Sequence, residues 1–262
     1  MTPDGANGPS RTPVRFRVIG LDDVDSTQGE LQRRAVAGAP EGTVVTARHQ
    51  RAGRGSRGHA WWDAPGESLL ASVLLRPAVP AATAPQLSLV GGLAVADALA
   101  EVAEIPVRIR WPNDLLADGR KVCGILAEAS SDGAGRVLHV VLGIGINLNQ
   151  RAFPEILAER ATSLRLVTGR AHDAGAVLTS VLAALGRRYA AWQAGGFAAL
   201  RADWRARSML PGQPVRLPDG TLGAGEDVSD DGALLARAGD GRLLRLVSGG
   251  AVEEARAYAA GH

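Results

Sequence analysis

Four short clusters of residues carry the reactive chemistry this chain can offer. The segment Gly53-Arg54-Gly55-Ser56-Arg57-Gly58-His59-Ala60-Trp61 interleaves glycine with arginine and closes on a tryptophan. Glycine lets a backbone bend tightly and bring its N–H groups close to an anion. Guanidinium groups grip phosphate oxygens in fork geometry and keep their charge at any working pH. An aromatic ring at the end of such a loop can stack on a purine or cap a site. The same composition also describes a solvated basic loop or an arginine-rich RNA-binding segment.

The second cluster, Arg110-Trp111-Pro112-Asn113-Asp114, is a strand ending in a rigid turn that presents polar side chains at a sheet edge. The third, Gly119-Arg120-Lys121-Val122-Cys123-Gly124-Ile125-Leu126, puts one lysine at the start of an apolar strand. A buried lysine there needs an anionic partner. In the fourth, Gly143-Ile144-Gly145-Ile146-Asn147, two glycines permit close backbone approach by a ligand, and Asn147 offers both a donor and an acceptor. Read alone, the last three are also a plain turn, a solvated lysine and a bulge.

Alternation and helical spacing predict the elements that position these clusters. A strand runs over 14–21, and Asp25-Ser26-Thr27 offers cap side chains to a helix that Gly38 stops. A strand follows over 43–47, then a long loop over 50–66 with neither period. A buried strand spans 68–75, and a long apolar helix with Pro85 at its start spans 85–103. A short strand over 107–111 leads to a hairpin, 122–129 and 137–148, about the Asp132-Gly133 turn. Helices are predicted over 174–193 and 197–207. From Pro211 the texture changes to short β-like runs between Pro-Asp-Gly, Asp-Asp-Gly and Gly-Asp-Gly turns, which reads as a small all-β barrel joined to an α+β domain. The expected division is a disordered tail over 1–13, a catalytic domain over 14–210 and the barrel over 211–262.

A hydrophobic fraction of 46% in 262 residues suits a globular core and argues against global disorder. No uninterrupted apolar run is long enough to span a bilayer, and the N-terminus has no apolar signal region, so neither a membrane partner nor secretion is expected. The single cysteine, Cys123, rules out an internal disulfide framework and fits a cytoplasmic setting. The net charge of +2 is small, so the arginines at 48, 51, 54 and 57 ask for a local explanation such as a bound phosphate.

Taken together, the order and spacing of these clusters resemble the biotin protein ligase family, whose patterns can be written GRGRxGRxW, KWPND, GxKxxGIL and GxGxN. The likeness begins at Asp25-Ser26-Thr27, runs through Asn147, and adds Ala161-Thr162-Ser163-Leu164 and Asp231-Gly232-Ala233-Leu234. It implies a central mixed β-sheet with flanking helices, a class II synthetase-like core, and a C-terminal SH3-like β-barrel that helps close the site. Deleting the barrel is then expected to impair catalysis more than biotin binding. Gln28 stands where the family has asparagine, Ser56 and His59 replace two loop arginines, and Arg110 replaces the lysine before Trp-Pro. With only a short tail before the first motif, no helix-turn-helix and no specific DNA partner are expected.

The resemblance implies a two-step reaction. Biotin's carboxylate attacks the α-phosphorus of ATP, and a lysine of a biotin carboxyl carrier domain then takes the biotinyl group. It implies Mg²⁺ carried on the ATP phosphates, with the acyl-CoA carboxylase carrier domain as partner; a homodimer is left open. The implied catalytic residues are Lys121 and Arg54. Biotin falls to Ser26, Thr27, Gln28, Gln50, Arg54, Gly55, Ser56, Lys121, Gly124, Gly143 and Gly145. The nucleotide falls to Arg54, Arg57, Trp61, Asn113, Lys121 and Asn147, with Trp61 beside the adenine and the two asparagines reading its edge. Asp114 is implied to orient Lys121 or a bridging cation. A lipoate or octanoate ligase on the same core, or a non-enzymatic RNA-binding module, are the alternatives.

Overall fold

The computed structural model describes residues 14–247. The expected tail over 1–13 and the end of the barrel beyond 247 lie outside the described residues. Strand β1 (Arg17–Val24) leads into helix α1 (Thr27–Val36), then β2 (Thr43–Gln50), β3 (Ser68–Leu75) and helix α2 (Gln86–Val102). The strands β4 (Arg108–Arg110), β5 (Asp114–Ala117), β6 (Arg120–Ser131) and β7 (Val137–Asn147) follow. Helices α3 (Glu155–Ala158), α4 (Leu164–Thr168), α5 (Ala174–Gly195) and α6 (Arg201–Arg207) complete the larger unit. The first seven strands form one mixed sheet in the order β1-β2-β3-β7-β6-β5-β4. Only β1 and β2 run parallel, because α1 crosses between them; the other neighbours are antiparallel.

Side-chain alternation along β3 shows how the sheet is covered. Leu69, Ala71, Val73 and Leu75 point into the main core with α2 and α5, whereas Leu74 packs with Leu31 and Ala35 of α1 on the other face. Ser72 and Leu70 share the α1 face by the same period of two, and Ser72 lies where the helix begins, against Thr27 and Gln28. The face that α1 leaves uncovered is where the site forms.

The stretch Ala81–Val102 has, by length and mean hydropathy, enough apolar character to cross a bilayer. Counting uninterrupted runs missed this, because Gln86, Ser88, Asp97 and Glu101 break the run without lowering its average far. Here 67% of its most apolar window is buried inside the protein.

The second sheet is antiparallel, in the order β11-β10-β9-β8, built from β8 (Pro214–Arg216), β9 (Leu222–Val228), β10 (Leu234–Arg237) and β11 (Leu243–Leu246). This arrangement fits the SH3-like barrel expected there. It is not a separate appendage. Val215, Val228, Leu234 and Ala236 belong to one continuous core with Leu89, Trp111, Phe197 and Trp204. The Trp111 indole N–H donates to the Gly232 carbonyl at 3.1 Å. Gly232 has φ +81°, and a Cβ there would lie 2.6 Å from Leu89, so this turn needs glycine twice over. With a shared core, deletion from Pro211 is expected to remove packing from the large domain as well.

Candidate active site

On the α1 face of the large sheet lies a narrow cavity. Its closed end is made where α1 begins. Ser26 occupies the cap position, yet its side chain makes no capping bond, contrary to the expected N-cap role. The Thr27 N–H is met instead by Gln50 Oε1 at 2.8 Å, and the Thr27 hydroxyl lies 3.0 Å from the same oxygen. Ser26 Oγ is thereby freed; it is buried, lines the cavity and has no hydrogen-bond partner among the described residues. A buried hydroxyl in that state is costly unless a ligand meets it.

Gln28 lies across the sheet. Its Nε2 donates to the Val141 carbonyl at 2.9 Å, and a Cβ at Gly143 would lie 2.7 Å from its Oε1. Gly143 is therefore required by Gln28. Gly145 and Gly124 are required by Trp61: their added Cβ atoms would stand 2.8 and 3.0 Å from its ring. The close approach read from these glycines is real, but the group that approaches is the protein's own indole. Trp61 lies against the hairpin of β6 and β7, with its Nε1 buried and without a hydrogen-bond partner among the described residues.

The arginine loop is a small hairpin over the cavity. The Gly55 N–H donates to the His59 carbonyl at 2.7 Å, and the Trp61 N–H to the Gly53 carbonyl at 2.9 Å. Its tip is a 3-10 turn over Ser56–Gly58. His59 Nδ1 lies 3.1 Å from the Ser56 carbonyl, so the two positions that depart from the family's arginines close the tip on each other. The loop's far end is anchored by His49 Nδ1, 2.9 Å from the buried Asp63 carboxylate. Arg51 pairs with Asp25 at 2.8 Å and Arg54 with Glu128 at 3.0 Å, both exposed. Exposed pairs contribute only about 0–1 kcal/mol, so an incoming phosphate can displace them. The Arg57 side chain lies outside what the structure describes.

Lys121 stands at the mouth. Its Nζ is 2.6 Å from Asp114 Oδ1 and 5.6 Å from the Trp61 ring centroid. The other Asp114 oxygen takes Arg110 at 2.6 Å. Burial pushes the Asp114 carboxyl up, but Lys121 and then Arg110 outweigh it and hold it below the usual range. Burial pushes the nearby Cys123 thiol far up, which removes it as a nucleophile. Because the folded pKa of Asp114 is lowered, the triad's contribution to stability is complete above the usual aspartate value of about 3.9 and fades as pH falls through the lowered one. Asp114→Asn should therefore cost about 1.5–3 kcal/mol at pH 7 and less near pH 2, as read by urea unfolding at both. Equal losses at the two pH values would show that charge is not what Asp114 supplies.

Of the residues expected in the site, Ser26, Thr27, Gln28, Gln50, Arg54, Gly55, Ser56, Trp61, Asn113, Lys121, Gly124, Gly143 and Gly145 line the cavity. Asn147 does not. It is buried, and its Nδ2 donates to the Thr162 carbonyl at 2.9 Å and lies 3.4 Å from that of Lys121. It thus ties the start of β6 to the 160–162 segment, where the Lys121 N–H donates to Arg160 and the Thr162 N–H to Lys121. Sequence reasoning missed Ser72, a fully buried hydroxyl on the cavity wall. A hydroxyl between apolar neighbours in the run Leu70-Ala71-Ser72-Val73-Leu74 was the available signal.

Fold and cavity together define a protein ligase of the biotin and lipoate class: residues 21–147 match the model of the Biotin/lipoate A/B protein ligase family. The chain is 38% identical to the biotin–[acetyl-CoA-carboxylase] ligase of Mycobacterium tuberculosis, over 87% of this chain and 85% of the relative. It is 38% identical to the enzyme of the same description from Paracoccus denitrificans, over 86% of this chain and 95% of the relative. A crystal structure of the Aquifex aeolicus biotin protein ligase in complex with biotin and ATP superposes with a TM-score of 0.75 at 31% identity, covering 90% of this chain and 97% of that one. Within the class, this chain belongs to the biotin protein ligases.

Proposed function

We propose that this ligase activates biotin with ATP and transfers it to a lysine of a biotin carboxyl carrier domain of an acyl-CoA carboxylase, in the cytoplasm. The observation that carries the reading is Lys121, a lysine held by a buried carboxylate at the mouth of a cavity lined with hydroxyls and amides. In the first step a biotin carboxylate oxygen bonds to the α-phosphorus, and the bond to pyrophosphate breaks. In the second the carrier amine attacks the acyl carbon, AMP leaves, and the amine gives up a proton. Both reactants of the first step are anions, so the site's work is to supply positive charge and to align them. Lys121 bridges carboxylate and α-phosphate. Arg54 exchanges Glu128 for phosphate. Ser26, Thr27, Gln28 and Gln50 hold the head group. Asn113 lines both this cavity and the larger cleft beside it, which reaches the second sheet, and so is placed to meet the nucleotide.

Magnesium, when bound, neutralises charge on the nucleotide phosphates. Among the described residues no three His, Cys, Asp or Glu side chains gather to hold a metal, and Asp114 is already held by two cations. These features suit a metal that arrives on the nucleotide. The RNA-binding alternative is disfavoured by the likeness to biotin protein ligases over most of the chain. The test is pyrophosphate release with biotin and MgATP, followed by mass spectrometry of a carrier domain. Biotin should support both, raising the carrier's mass by one biotinyl group, and octanoate or lipoate neither. Release and transfer with lipoate in place of biotin would overturn the reading.

A further inference from the structure

At the closed end of the cavity, chemistry fixes which way the Gln28 amide points. Its Nε2 lies 2.9 Å from the Val141 carbonyl and 3.5 Å from that of Leu126. Carbonyl oxygens only accept, so nitrogen must be the atom that faces them. Oε1 is therefore the atom turned toward Ser72 and the cavity. An asparagine, one methylene shorter, would not span the sheet in this way. Gln28 thus shows a ligand an acceptor and no free amide hydrogen.

Ser72 faces two acceptors with a single hydroxyl hydrogen: Thr27 Oγ1 at 2.9 Å and Gln28 Oε1 at 3.1 Å. Thr27 can place its own hydroxyl hydrogen on Gln50 Oε1 or on Ser72 Oγ, since both lie within hydrogen-bond distance. Three settings follow. In two of them Ser72 caps Gln28 Oε1, while Thr27 donates either to Ser72 or to Gln50. In the third, Thr27 donates to Gln50, Ser72 turns to Thr27, and Gln28 Oε1 is open to a donor. All four side chains are buried, so an open Oε1 is unfavourable until a ligand N–H fills it. Ser26 Oγ, also buried and without a partner among the described residues, lines the same cavity.

We propose that Ser72 and Thr27 form a rotating hydroxyl pair that caps Gln28 Oε1 in the empty pocket and passes it to a ligand N–H on binding, which makes Gln28 Oε1 the group favouring head groups with N–H donors and Ser72 its positioning partner. This rests on the ligase reading, in which the head group is a ureido ring with two N–H groups and one carbonyl. The switch lets the empty pocket stay satisfied and yet accept a donor on binding without stranding a hydroxyl. It also separates this pocket from one built for an alkyl or dithiolane head, which brings no N–H.

The test is calorimetric titration of biotin into the full chain and its variants, with thermal unfolding as a check on folding. Ser72→Ala removes the rival donor and should bind biotin at least as tightly as the wild type. Thr27→Val leaves the Ser72 hydroxyl no second acceptor, so it should weaken binding by about tenfold or more. In the Ser72→Ala background that penalty should shrink to about threefold or less. Gln28→Met, of similar length but without the acceptor, should weaken biotin by about tenfold or more. A tenfold loss in Ser72→Ala, an undiminished Thr27 penalty in that background, or wild-type affinity in Gln28→Met would each overturn the proposal. A wild-type chain that binds no biotin would overturn the ligase reading itself, and this inference with it.

Discussion

Lys121→Ala should lower pyrophosphate release with biotin and ATP by about 10²–10³, the usual cost of removing one donor aimed at developing charge. An ammonium has three N–H groups, and Asp114 engages the group from one side at 2.6 Å. The others are free to follow charge from carboxylate to phosphate. The fold should survive, because Asp114 keeps Arg110. Thermal unfolding of the variant should therefore stay close to wild type while single-turnover adenylate formation collapses. Lys121→Arg should recover only part of the rate, since a planar fork does not replace a compact point charge. Adenylate formation at the wild-type rate in Lys121→Ala would remove the residue from the mechanism.

Trp111→Ala should have the largest effect on stability. Emptying a buried tryptophan site costs about 3–5 kcal/mol, and the Gly232 carbonyl loses its 3.1 Å partner as well. Against a typical total of about 5–15 kcal/mol, that is a large share. Trp111, 4% exposed, lies where the two sheets share their core. Wild type and variant should each unfold in one transition, followed in parallel by tryptophan fluorescence and far-UV circular dichroism. A variant in which the second sheet melts alone, with the rest at the wild-type temperature, would show the units to be independent. Trp111→Phe, which loses the N–H but keeps most of the ring, should cost only about 1 kcal/mol.

The sequence was informative where residue type and spacing each constrain chemistry. Lys121, Asp114 and the arginine loop were legible through the order and spacing of the clusters together and the resemblance these carry, since each read alone is equally a solvated lysine, a plain turn or a basic loop. The boundaries of β1 were misread: the strand runs to Val24 because Asp22 and Asp23 sit on an exposed edge, where acidic residues cost little. Strand β5, Asp114–Ala117, was missed because it begins inside what reads as a turn. Spacing alone could not say what approaches a glycine. Gly124 and Gly145 signal close contact equally well whether the neighbour is a substrate or Trp61. Asn147 was assigned to the nucleotide because its strand is shared with the site, yet its side chain bonds the 160–162 segment. Ser72 escaped notice because its strand has every residue buried and so lacks the polar alternation that marks an exposed face.

The bond from the Thr27 N–H to Gln50 has one more consequence. The first-turn amides of a helix have no partner within it. This one is protected only because a side chain at the base of the arginine loop reaches back to it. Its hydrogen exchange is then governed by how often the end of β2 pulls away from α1, and not by unwinding of the helix. One amide in the cavity wall thus keeps time for the neighbouring loop: each departure of Gln50 exposes it to solvent, and its rate of deuterium uptake counts those departures.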